Sequence, residues 1–110
     1  MGNDLDRTLA LTRQQIEQRD DVGVRLDVPR LVDHSAKFPR RNQADSAAVE
    51  LRGIGYTVSV GRRGFRRVLL EAHRSGPVDL VSAEAFTREV LGIVALHGGN
   101  YDGWGGDVEV

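Results

Sequence analysis

The sequence predicts an α+β sandwich in which a four-stranded antiparallel sheet carries two helices, with one more helix at the N-terminus. Three observations lead there. Stretches with period-two alternation and stretches with helical spacing follow one another in the order helix, strand, helix, strand, strand, helix, strand. The two middle strands are separated only by Gly61-Arg62-Arg63-Gly64, which has hairpin turn chemistry. The chain has 110 residues, 40% apolar and 28% charged, enough for one domain over 1–110 with one modest core.

Each element has its own signal. Asn3 is placed to cap a helix over 4–19, with Asp4 and Asp6 in its first turn and Leu5, Leu9 and Ile16 on one stripe. Residues 20–29 hold Gly23 and Pro29 without sustained period and read as a connector. Leu31 and Val32 begin a strand that Pro39 closes, and the core runs from 29 to 110. Asn42 and Asp45 suggest a cap for a helix bearing Ala44, Ala47, Ala48 and Leu51, ended by Gly53 and Gly55. Residues 56–60 and 65–73 form the hairpin strands, with Val68, Leu70 and Ala72 on one side. Ser82 offers an N-cap to the last helix, whose face is Phe86, Val90, Ile93, Val94 and His97, and Gly98-Gly99 end it. Residues 100–110 read as a final strand that bends or bulges at its glycines. Two strand–helix–strand crossovers joined by a hairpin describe the ferredoxin-like βαββαβ sandwich. The stripe of the N-terminal helix is expected to cover the second sheet face, beside Phe65 and Leu69, or to meet a partner chain.

Composition narrows the function. Lys and Arg number 15 against 16 Asp and Glu, a formal charge of −1, so any attraction to a polyanion is local. There is no cysteine, which removes thiolate nucleophiles, disulfides and zinc-thiolate sites and suits a cytoplasmic setting. No signal segment, membrane-spanning run or lipidation motif is evident. Glycine loops of the dinucleotide or phosphate type and a nucleophile elbow are missing as well, so neither a catalytic residue nor a cofactor is expected. His34, His73 and His97 lack a ligand at helical spacing; on neighbouring parallel strands, His34 and His73 would gather with Asp33 into a small polar cluster able to bind a metal or move a proton, but no metal site is expected.

The densest charge is Arg62, Arg63, Arg66 and Arg67, with Arg40 and Arg41 after the first strand. These arginines read as a solvated surface or as a nucleic-acid contact. Arg63-Gly64-Phe65 resembles the basic-Gly-aromatic sequence of the RNA-recognition motif, but Arg67 stands where that motif has its second stacking aromatic and Leu31 to Asp33 hold no aromatic. An RNA-binding module is the alternative reading.

The C-terminal stretch Tyr101-Asp102-Gly103-Trp104-Gly105, after a helix ending His97-Gly98-Gly99, resembles the signature of the regulator of ribonuclease E activity B family. Val32-Asp33-His34, Phe38-Pro39, the Ala-rich helix and Gly55-Tyr56-Thr57-Val58 are similar in order and spacing over about 4–110. The resemblance implies a ferredoxin-like domain without activity of its own that binds a ribonuclease E-type endoribonuclease and lowers RNA cleavage. The namesake regulators carry a long acidic C-terminal tail, whereas residues 100–110 here hold Asp102, Asp107 and Glu109 as their acids. Candidate partner contacts are Tyr101, Asp102, Trp104, His34 and Phe65. Tyr101 and Trp104 share a face only if Gly103 forms a bulge. A homodimer is compatible with each reading.

Overall fold

A computed structural model describes residues 4–23, 25–63 and 67–106. Its elements are α1 (Leu5–Asp21), β1 (Arg30–Phe38), α2 (Arg41–Gly53), β2 (Thr57–Arg63), β3 (Arg67–Gly76), α3 (Leu80–Leu96) and β4 (Asn100–Gly106). The predicted order of helices and strands is the observed one, in an α+β arrangement of three helices and a four-stranded antiparallel sheet. Asn3, Gly64, Phe65, Arg66 and the last four residues lie outside the described part.

Helix starts differ from expectation by one to three residues, for local reasons. Asp4 caps α1, its carboxylate accepting from the Arg7 amide at 3.1 Å. Pro39 ends β1, and Arg40, still extended, stands at the N-cap of α2 without a side-chain cap, which leaves Asn42 inside the first turn. Asp79, not Ser82, caps α3, accepting from both the Ser82 amide and the Ser82 hydroxyl at 2.9 Å. That amide bond is the main reason the Asp79 carboxyl stays below its usual range. Gly61 lies within β2 rather than in the turn, because the strands pair as far as Arg63 and Arg67.

The sheet order is β2-β3-β1-β4, and every neighbouring pair is antiparallel. Each helical crossover therefore passes over one strand. β1 lies in the interior and alternates strictly: Arg30, Val32, His34, Ala36 and Phe38 point to the helices. Val68, Leu70 and Ala72 of β3 join them, and α2 seats Ala44, Ala47, Ala48 and Leu51 on this layer. Small alanines let α2 lie close, and burial at ~25 cal/mol per Å² makes this face the main source of stability.

Two expectations are corrected. β1 and β3 run antiparallel, so Asp33 pairs with His73 while His34 pairs with Ala72. Alternation then puts His34 among the helices and Asp33 with His73 on the opposite face, 3.9 Å apart. Helix α1 does not cover that opposite face either. Its buried stripe, Leu9, Thr12 and Ile16, packs beside α3 on the helical side. The open face offers mostly polar neighbours, Asp33, Ser35, Lys37, Glu71 and His73, whereas α3 and Trp104 offer apolar ones.

Both sheet edges are tended by helix side chains. Arg52 of α2 donates to the Val58 carbonyl at 2.8 Å on the β2 edge, and Gln15 of α1 donates to the Trp104 carbonyl at 3.1 Å on the β4 edge.

Where α3 turns into β4, the Gly99 amide donates to the Val94 carbonyl at 2.9 Å, and a Cβ on Gly99 would stand 2.4 Å from the Phe38 ring. Gly99→Ala is expected to lower stability by about 1–3 kcal/mol. In contrast, Gly92→Ala, within α3 and with nothing within 4 Å of an added Cβ, is expected to gain about 0.5–1 kcal/mol. Urea unfolding of both variants checks the contrast.

Candidate functional site

The last strand is irregular where the signature residues fall. Ser35 pairs with Gly103 but Ala36 pairs with Tyr101, so Asp102 is an extra residue and the register shifts between Ser35 and Ala36. Gly103 has φ +121, a conformation that side-chain-bearing residues rarely adopt. This bulge resets the alternation, and Tyr101 and Trp104, three positions apart, both turn to the helical side.

There the two rings are fixed. The Tyr101 hydroxyl and the His34 Nδ1 share a hydrogen bond of 2.7 Å. His34 stands edge-on to Phe86, with centroids 5.1 Å apart, and Phe86 stands edge-on to Trp104 at 5.0 Å. The Trp104 indole N–H donates to the Thr12 hydroxyl at 3.0 Å, and Thr12 hydrogen-bonds Thr87 of α3 at 3.2 Å. The Arg19 guanidinium lies 4.9 Å over the Trp104 ring and donates to the Gly106 carbonyl at 3.5 Å.

Burial, with the Arg74 charge second, pulls the His34 pKa from 6.5 down to about 3, so the imidazole is neutral. Burial also pushes the Tyr101 hydroxyl far up, and it keeps its proton.

The predicted partner residues thus divide. His34, Tyr101 and Trp104 are only 1%, 4% and 8% exposed and lie in the core; Tyr101 and Trp104 still reach the surface through a small part of their atoms. Asp102 is exposed and pairs with Lys37 at 3.6 Å. An ion pair so exposed contributes ~0–1 kcal/mol, so the Asp102 carboxylate adds little to stability. Phe65 and Arg66 lie outside the described residues, as does the Arg63 side chain; Arg62 and Arg67 are exposed. Asp33 and His73 are not joined by a third metal-ligating group among the described residues.

Sequence reasoning missed Thr12, Gln15 and Arg19. Thr12 falls between Leu9 and Ile16 at helical spacing, but a stripe read from apolar residues alone passes over a hydroxyl.

These contacts leave an open groove of about 790 Å³ between α1 and the open face of the sheet. Arg7, Leu11 and Gln18 of α1 form one side, Ser35, Gly103 and Gly105 belong to the floor, and Asp33 and Asp102 add acidic groups. An added Cβ on Gly103 or Gly105 would have nothing within 4 Å, so the floor is bare backbone.

The model of a family described as Regulator of ribonuclease activity B matches residues 9–106, which takes in α3, the bulged strand and most of α1. The chain belongs to the regulator of ribonuclease activity B family. No curated protein matches it. For a member of this family, regulation of a ribonuclease is the activity to be explained, and no helix among the described residues is long and apolar enough to cross a membrane.

Two outcomes follow. Because the unfolded chain binds a proton at His34 below pH 6.5 and the folded chain does not until about 3, stability falls with pH. Lowering the pH from 7 to 5 is expected to cost about 2 kcal/mol through this residue alone. Urea unfolding at both pH values checks this, with His34→Gln losing that part of the difference. Gly103→Ala is expected to cost about 1–3 kcal/mol through its backbone conformation, and Gly105→Ala to stay within about 0.5 kcal/mol, both read from thermal unfolding.

Proposed function

We propose that this protein is a non-catalytic cytoplasmic regulator that lowers the activity of a ribonuclease E-type endoribonuclease by direct contact, using the groove between α1 and β4. In this reading the fold is the ferredoxin-like sandwich with α1 added, and the strand order β2-β3-β1-β4 supports it. Family membership supports the regulatory role.

The observation that carries the choice of surface is the bare floor at Gly103 and Gly105. A partner's backbone or side chain approaches the sheet closely there, with hydrogen-bonding groups on either side. The buried rings set the spacing of floor and wall. Trp104 ties α1 to β4 through Thr12 and Gln15, and His34 with Tyr101 fixes the strand below the bulge. In this reading the exposed carboxylate of Asp102 is the signature group that touches the partner directly. Phe65, which lies outside the described residues, stays a proposed contact without an assigned place.

Inhibition by contact needs no reactive group. Occupying a surface that the nuclease uses for RNA or for assembly suffices, and the rigid edge built on Trp104 limits the entropy lost on docking.

The test is RNA cleavage by a purified ribonuclease E-type enzyme with increasing amounts of this protein. The parent chain is expected to slow cleavage, and Gly105→Trp, which fills the floor without meeting a neighbouring atom at its Cβ, to fold normally and inhibit about tenfold less. Equal inhibition by the variant would remove the groove from the reading, and unchanged cleavage with the parent chain would remove the contact itself.

A further inference from the structure

The groove occupies the β4 side of the sheet, and the opposite edge is built differently. On β4 the Trp104 and Gly106 carbonyls are both taken by α1. On β2 only the Val58 carbonyl is taken, by Arg52. Antiparallel alternation makes Val60 and Arg62 present their main-chain groups outward in the same sense as Val58, and among the described residues nothing hydrogen-bonds them there. This is an open edge with a short stretch of free donors and acceptors.

Its surroundings are cationic. Arg52 stands at one end of the stretch and exposed Arg62 at the other. The pairing of Phe38 with Val68 brings exposed Arg40 and Arg41 to the end of the sheet where Arg67 begins β3. Asp45, on the same side of α2 as Arg52, is already paired with Arg41 at 3.1 Å. Also on this outer side of α2, Val49 is 67% exposed.

Among the described residues the edge offers single-stranded RNA no ring to stack on, since Phe38, Tyr56, Phe86, Tyr101 and Trp104 are all buried. An extended protein segment fits all three features. Its main chain pairs with Val60 and Arg62, its carboxylates meet Arg52 and Arg62, and an apolar side chain finds Val49. We propose that the outer edge of β2 receives an extended acidic segment of a partner protein as an added strand. This proposal stands independently of the groove and of the nuclease.

The full chain, labelled with nitrogen-15, is titrated with a short peptide alternating Glu and Val, with the Lys and Val counterpart, and with oligouridylate. The Glu peptide is expected to shift the Val60 and Arg62 amides and to protect them from hydrogen exchange. Arg62→Glu, a surface change, is expected to weaken it about tenfold. Val60→Pro, which removes an amide pointing away from β3, is expected to abolish it. Absence of binding, equal binding by Arg62→Glu, shifts confined to β4, or a preference for oligouridylate would each overturn the proposal.

Discussion

The indole of Trp104 is the contact on which the arrangement of helices depends. Helix α1, only 17 residues long, buries the short stripe Leu9, Thr12 and Ile16, and a helix of that length is marginal alone in water. What holds it is concentrated at one ring: the N–H bond to Thr12, the edge-on contact with Phe86 of α3 and the guanidinium of Arg19 above. The aromatic pair is worth ~0.5–1.5 kcal/mol beyond its burial, and leaving the indole N–H unpaired would cost ~1–3 kcal/mol. Sums of that size decide whether α1 is docked or loose, and the groove exists only while it is docked.

Beneath the ring, His34 and Tyr101 form a polar pair inside an apolar layer. Neither group is charged near neutral pH, so the layer gains the directionality of a hydrogen bond without the several kcal/mol of a buried ion. The signature strand is thereby specified in two ways: Trp104 faces His34 in register, and Tyr101, facing Ala36, reaches the imidazole across the bulge.

Much of this was legible in the residues. Helical spacing marks the three helices and period-two alternation the hairpin strands, while β1 and β4 are legible from their β-branched and aromatic residues and from the Pro39 and glycine breaks. Capping was less legible, because Pro39 and Asp79 each started a helix earlier than the hydroxyl or amide residue nearer its middle. The docking of α1 departs from the sequence expectation because an amphipathic stripe shows that a face is buried and not against what. The polarity of Asp33, Ser35, Lys37, Glu71 and His73 argues against the second sheet face, but only once strand register tells which residues share it. The bulge was foreseen at Gly103 as a condition for bringing two rings together; that both would be buried depended on α1 and α3 closing over them. No pattern in one chain announces which exposed surface a partner uses.

The extra residue in β4 makes strand length part of the design. Side-chain direction along a strand is counted in steps of two, and Asp102 with Gly103 inserts an odd step between Tyr101 and Trp104. Loss of one residue there would leave composition almost unchanged yet turn the indole from the helices to solvent. Thr12 and Phe86 would lose their partner together, and α1 would lose its anchor. Insertions and deletions at the Asp102-Gly103 step are therefore far more damaging than most substitutions, so the spacing of the signature carries as much information as its letters.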